Sequence, residues 1–119
     1  MAVGPVLEAL FGNRTAACVL LYLQAYGEGH AMAMARTFGF SLSMVQRQLQ
    51  RLEANGVLLS RQVGNLRLYA FNQRNPTVRN LRSMLTVELD NLPEDVADQL
   101  FSERRRPRRS DKLLRSLMA

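Results

Sequence analysis

From residue 6 to residue 56 apolar side chains return every three or four positions, the period of a helix with one buried face. Val6, Leu7, Leu10 and Phe11 predict a short first helix with Pro5 in its first turn, broken by Gly12-Asn13. Thr15 is placed to cap a second helix, whose stripe is Val19, Leu20, Leu23 and Tyr26 and whose stops are Gly27 and Gly29. The run HAMAMARTFG predicts a third, short helix of strong helix formers closed by Gly39. In SLSMVQRQLQRLEANG, Ser41 or Ser43 caps a fourth helix that runs to Asn55, and Gly56 supplies the left-handed stop.

After Gly56 the helical pattern gives way. VLLSRQV and LRLYAFN are rich in β-branched, leucine and aromatic residues and are separated by Gly64-Asn65, which predicts a β-hairpin. NQRNP reads as a turn. From Thr77 the helical period returns as a long amphipathic helix with Val78, Leu81, Leu85 and Leu89 on one stripe and Met84 and Leu92 beside it. Pro93 interrupts it, and PEDVADQLF restarts a short helix. The expected fold class is mainly α with a small β-hairpin. The expected division is a helix-and-hairpin domain over residues 1–76, an amphipathic helical segment over 77–101 and a basic, flexible tail over 102–119.

The fourth helix carries the chemistry. On a wheel of about 100° per residue, Leu42, Val45, Leu49 and Leu52 cluster on the side that must face a core. Ser43, Arg47 and Gln50 then point away, flanked by Gln46 on one side and by Arg51 and Met44 on the other. Serine, glutamine and arginine donate and accept at base edges and phosphates, whereas an ordinary solvated face carries Glu and Lys. A short helix, the tight Gly39-Phe40 turn and this helix make a helix-turn-helix, whose second helix would read a major groove from residues 43–55. Ser41, Ser43, Met44, Gln46, Arg47, Gln50 and Arg51 are therefore candidate DNA contacts. In the hairpin, Gln62, Gly64, Asn65 and Arg67 gather toward the tip with Arg61 one step back, while Leu58, Tyr69 and Phe71 are expected to finish the core.

Charge adds to this picture. The net charge is +6, and of 16 cationic residues only Lys112 is a lysine. Arginine makes planar, two-pronged contacts to phosphate and guanine that lysine does not copy. Residues 1–79 and the tail from 104 are basic, whereas residues 80–103 carry six acids against Arg82. One histidine, one cysteine and the absence of a phosphate-cradling glycine motif leave neither a nucleophile–base pair nor a metal set, so no enzyme, cofactor or metal is expected. His30 reads as a surface or capping residue, and Cys18, in the apolar run AACVLLYL, as a small buried hydrophobe. Met32, Met34 and Met44 read as packing residues, with Met44 also placed to touch a thymine methyl. No apolar run approaches the length of a membrane span, and MAVGPVLEALFG has no basic region ahead of its apolar residues. No membrane partner and a cytoplasmic location are expected.

The combination LFGNRTAACVLLYL…FGFSLSMVQRQLQRLEANGVLLSRQVGNLRLYAFNQRNP resembles the winged helix-turn-helix of small prokaryotic transcription regulators. It is closest to the ArsR-like branch and is similar to winged-helix domains associated with nucleotidyltransferases. The matching residues are Ser41-Leu42-Ser43, Val45-Gln46-Arg47, Leu49, Arg51-Leu52-Glu53 and Gly56, and in the wing Arg61, Gly64-Asn65, Tyr69 and Asn72. The resemblance implies that the second helix of the motif reads DNA, that the wing contacts the backbone and that terminal helices make a dimer. Metal-sensing members carry cysteines on the first helix of the motif; HAMAMAR has none. The expectation is a homodimeric, sequence-specific regulator of double-stranded DNA, a repressor at a near-palindromic operator, with Val78, Leu81, Leu85 and Leu89 as the dimer seam. Its rivals are an adaptor whose winged helix grips a protein and an architectural protein that binds DNA without sequence preference. The sequence names no small-molecule effector.

Overall fold

The computed structural model describes residues 4–101. Among these, six helices and one hairpin follow in the order α1 Pro5–Phe11, α2 Arg14–Tyr26, α3 Ala31–Phe38, α4 Leu42–Ala54, β1 Leu58–Val63, β2 Leu66–Phe71, α5 Pro76–Asp90 and α6 Glu94–Phe101. The tail expected over 102–119 lies outside the described residues.

Local chemistry sets most boundaries. Asn13, rather than Thr15, caps α2, its side chain accepting from the Ala16 amide at 2.9 Å, while Thr15 is buried inside the first turn. His30 caps α3: its Nδ1 accepts from the Ala33 amide at 3.4 Å, the capping role expected of it. Ser41 caps α4, accepting from the Met44 amide at 3.3 Å. Asn75 caps α5 through the Thr77 amide, with Pro76 in the first turn, where a missing N–H costs nothing.

The core is built around α2. Its Ala16, Ala17, Cys18, Val19, Leu20, Leu21 and Leu23 are all buried, so the helix is enclosed on every face rather than along one stripe. It packs against α1, α3, α4, α5 and β2. A helix apolar all round belongs at the centre of a core.

β1 and β2 pair antiparallel in the register Leu58↔Phe71, Ser60↔Tyr69 and Gln62↔Arg67 on one face, alternating with Leu59↔Ala70, Arg61↔Leu68 and Val63↔Leu66 on the other. Gly64, at φ 59°, takes the first central position of the turn, and Asn65 keeps a negative φ, the sign pattern of a type II′ hairpin turn. Gly29 adds a bridge on the far edge of β2, donating to Tyr69 O at 3.1 Å and accepting from Tyr69 N at 2.8 Å. At the open end, Asn72 Nδ2 donates to Gly56 O at 3.0 Å and so ties the hairpin base to the end of α4.

α5 returns onto α2. Val78, Leu85 and Leu89 are buried in the same core as α2, and Leu81 and Met84 pack partly against it. Gln24 of α2 holds the contact, donating to Thr86 Oγ1 at 3.0 Å and accepting from Arg82 Nε at 3.0 Å. The Arg82 guanidinium also lies over Phe71, 5.4 Å from the ring centroid. This arrangement corrects the ground on which Val78, Leu81, Leu85 and Leu89 were expected to form a dimer seam. The stripe is apolar because it faces its own chain.

Candidate nucleic-acid interface

α4 is held by one face and free on the other. Val45 and Leu49 are fully buried and Leu52 nearly so, against α2 and α3. Opposite them Ser41, Ser43, Met44, Gln46, Arg47, Gln50 and Arg51 are all exposed, the candidate contacts of the recognition face. Among the described residues the side chains of Gln46, Arg47 and Gln50 have no hydrogen-bond or ion-pair partner. Arg51 is different. Its Nε and Nη2 both donate to Gln48 Oε1, at 3.0 and 2.9 Å, which lays the guanidinium along the helix. The methionines divide: Met34 packs in the core, whereas Met32 and Met44 are nearly half exposed, so packing accounts for one of the three.

The wing shows the expected division at its base, where Leu58, Tyr69 and Phe71 are buried. Toward the tip Gln62, Gly64, Asn65, Arg61 and Arg67 are exposed, but the two arginines are engaged. Arg61 Nη2 pairs with Glu28 Oε2 at 2.7 Å. Arg67 Nη1 donates to Ser60 Oγ at 2.9 Å, and Ser60 in turn donates to the Glu53 carboxylate near the end of α4. Gln62 Nε2 folds over the turn onto Gly64 O at 3.0 Å. Arg67 and Ser60 thus share a hydrogen-bonded chain with α4, which links the hairpin to the helix. Sequence gave no sign of these partners, because Glu28 and Glu53 are remote from the hairpin tip along the chain. The outer face also exposes Leu59, Val63 and Leu66.

Two groups near this frame have shifted acidity. Burial, and after it the Glu53 carboxylate, push the Tyr69 phenol up, with Arg67 opposing. Burial pushes the Cys18 thiol up to about 11, so it stays protonated and unreactive near neutrality. Among the described residues no group of three His, Cys, Asp or Glu is placed to hold a metal ion, and no single helix is long and apolar enough to cross a membrane.

No family model matches the chain, and no curated protein does. Solved structures do. A transcriptional regulator of the MarR family from Rhodococcus sp. RHA1 superposes with a TM-score of 0.53 at 20% identity, over 85% of this chain and 79% of that one. Reduced AbfR, solved bound to DNA, gives 0.53 at 17% identity, over 94% and 78%. A homodimeric winged helix-turn-helix DNA-binding domain from Mycobacterium bovis, a possible ArsR-family regulator, gives 0.47 at 24% identity, over 80% and 95%. The fold is a winged helix-turn-helix, with α3 and α4 as the motif and β1–β2 as the wing.

Proposed function

We propose that this chain is a sequence-specific, double-stranded-DNA-binding transcription regulator that works as a homodimeric repressor, with α4 as its reading helix. The observation that carries the reading is the outward face of α4. Ser43, Arg47 and Gln50 stand exposed on a helix whose opposite face is locked in the core, and Arg47 and Gln50 are bound to nothing else in the described chain. Side chains held in this way are ready to meet base edges without first breaking an internal contact. The frame supports it, since AbfR, a neighbour in fold, was solved on DNA.

The test begins with duplexes selected by the wild-type protein from a random pool. Arg47→Ala should cost about 1–3 kcal/mol of discrimination between a selected and an unselected duplex, with the fold intact. Equal losses on both would demote Arg47 to a phosphate contact. A pool that yields no consensus would point to an architectural protein.

A second reading has one observation in its favour. The wing's outer face is apolar at Leu59, Val63 and Leu66, and Arg61 is neutralised there by Glu28. Such a face suits a protein partner, as in an adaptor. Wild-type protein without salt-dependent affinity for any duplex would select that reading.

A further inference from the structure

The two wing arginines are held in different ways. Arg61 makes a direct ion pair with Glu28 at 2.7 Å. Arg67 reaches a carboxylate only through a hydroxyl: its Nη1 donates to Ser60 Oγ at 2.9 Å, and Ser60 donates to Glu53 of α4. Among the described residues Arg67 and Glu53 form no direct ion pair, and Nε and Nη2 of Arg67 have no hydrogen-bond partner. Ser60, Gln62, Arg67 and Tyr69 share one face of the hairpin, and Ser60 ties that face to α4. Arg67 therefore stands on the side of the wing turned toward the reading helix. After burial, Glu53 and Arg67 are the groups that shift the Tyr69 phenol, in opposite directions, so both charges lie near the same ring.

We propose that Glu53 and Ser60 are positioning residues for DNA binding: they hold one prong of Arg67 on the α4 side of the wing and leave its other N–H groups for a backbone phosphate flanking the groove α4 enters. The inference rests on the chain binding DNA through α4. A serine hydroxyl has one proton and two lone pairs. Glu53 takes the proton, which leaves the oxygen as an acceptor, and a guanidinium is the donor that suits it. An arginine fixed at one prong has already given up rotamer freedom, so less is lost when a phosphate arrives. A direct Glu53–Arg67 pair would have to be broken for a two-pronged phosphate contact. With Ser60 between them, the carboxylate orients the arginine without occupying it. An acid on the reading helix thereby favours binding, although its own charge repels phosphate.

The rival is a chain of bonds that only fastens the hairpin to α4. The sign of one substitution separates the two. The full chain is titrated onto a fluorescent random-sequence duplex across a series of salt concentrations, with melting temperatures taken on the same samples. The variants are Glu53→Ala, Ser60→Ala, Ser60→Thr, Arg67→Ala and Glu53→Ala combined with Arg67→Ala. Removing a negative charge near DNA should by itself strengthen binding. Glu53→Ala should instead weaken it about two- to tenfold, the ordering cost of one long side chain, with the salt slope kept because Arg67 still makes its contact. Ser60→Ala should do the same, and Ser60→Thr, which keeps the hydroxyl, should bind like wild type. Arg67→Ala should lose about one unit from the slope of log K against log salt. In that background Glu53→Ala should reverse its sign and strengthen binding, because no arginine is left to position. Equal or stronger binding in Glu53→Ala alone, an unchanged slope in Arg67→Ala, or a Glu53→Ala loss that persists without Arg67 overturns the positioning role and leaves the proposed function standing. A wild type with no salt-dependent affinity overturns both.

Discussion

Gly29 is the residue at which the chain has least room. A Cβ there would lie 2.5 Å from Cε1 of Tyr22 and 3.2 Å from Cε of Met34. The Tyr22 ring is itself held, 4.6 Å from Tyr26 and 6.4 Å from Phe38. Gly29 is also fixed from the other side by its two backbone hydrogen bonds to Tyr69. Along the sequence Gly27 and Gly29 look alike, a pair of helix stops. The structure separates them, since Gly27 needs a φ of 88° and has open space around it, whereas Gly29 is required by its neighbour. Overpacking of this kind costs about 1–3 kcal/mol, so Gly29→Ala should lower the unfolding free energy by that amount, seen as a lower urea midpoint at an unchanged m-value. A midpoint equal to wild type would mean that Tyr22 moves aside and that the aromatic cluster is looser than its geometry implies.

At the scale of elements, α1, α3, α4, the hairpin and the α5–α6 break were legible because each rests on signals within a few residues. Ser41 and His30 as caps, the Gly39 and Gly56 stops, Gly64-Asn65 and Pro93 all act locally. What the sequence withheld was partnership. Periodicity says that Val78, Leu85 and Leu89 need covering but not by what, and the answer was α2 of the same chain. The wing arginines were visible as residues, yet the acceptors that occupy them, Glu28 and Ser60, meet them only through tertiary pairing. The Arg61–Glu28 pair gives this a consequence. Both side chains are well exposed, at 61% and 47%, and such pairs are worth only about 0–1 kcal/mol. A phosphate within reach of Arg61 would compete with Glu28 for it. Glu28→Gln should therefore raise affinity for a random duplex by up to about fivefold, the equivalent of that ion pair. Adding Arg61→Ala should cancel the gain. Anisotropy titrations that find no gain in Glu28→Gln would place Arg61 away from the DNA.

For the whole molecule, the homodimer proposed above would need a surface other than the α5 stripe, which is buried within its own chain. Three apolar side chains remain prominent on the terminal helices. Val6 and Leu10 on α1 are each 63% exposed, and Val87 on α5 is 57% exposed. Val6 and Leu10 lie one helical turn apart on the same side of α1. Gly4, just before α1, lies near α5, since a Cβ there would sit 3.5 Å from Oε2 of Glu88. Exposed apolar groups on adjacent helices mark an interface more often than isolated ones do. A two-fold axis there would make the contact self-complementary. A dimer whose two α4 helices enter successive major grooves, about 34–36 Å apart, would require a near-palindromic site. Leu10→Glu with Val87→Glu should thus give a folded monomer, because neither side chain supports the core. It should lose affinity for the selected duplex and keep weak, salt-dependent binding to random DNA. Leu85→Glu, buried completely, should unfold the chain instead. Sedimentation velocity with circular dichroism separates the two outcomes. A wild type that sediments as a monomer at micromolar concentration, or a double variant that remains dimeric, would rule this face out as the seam.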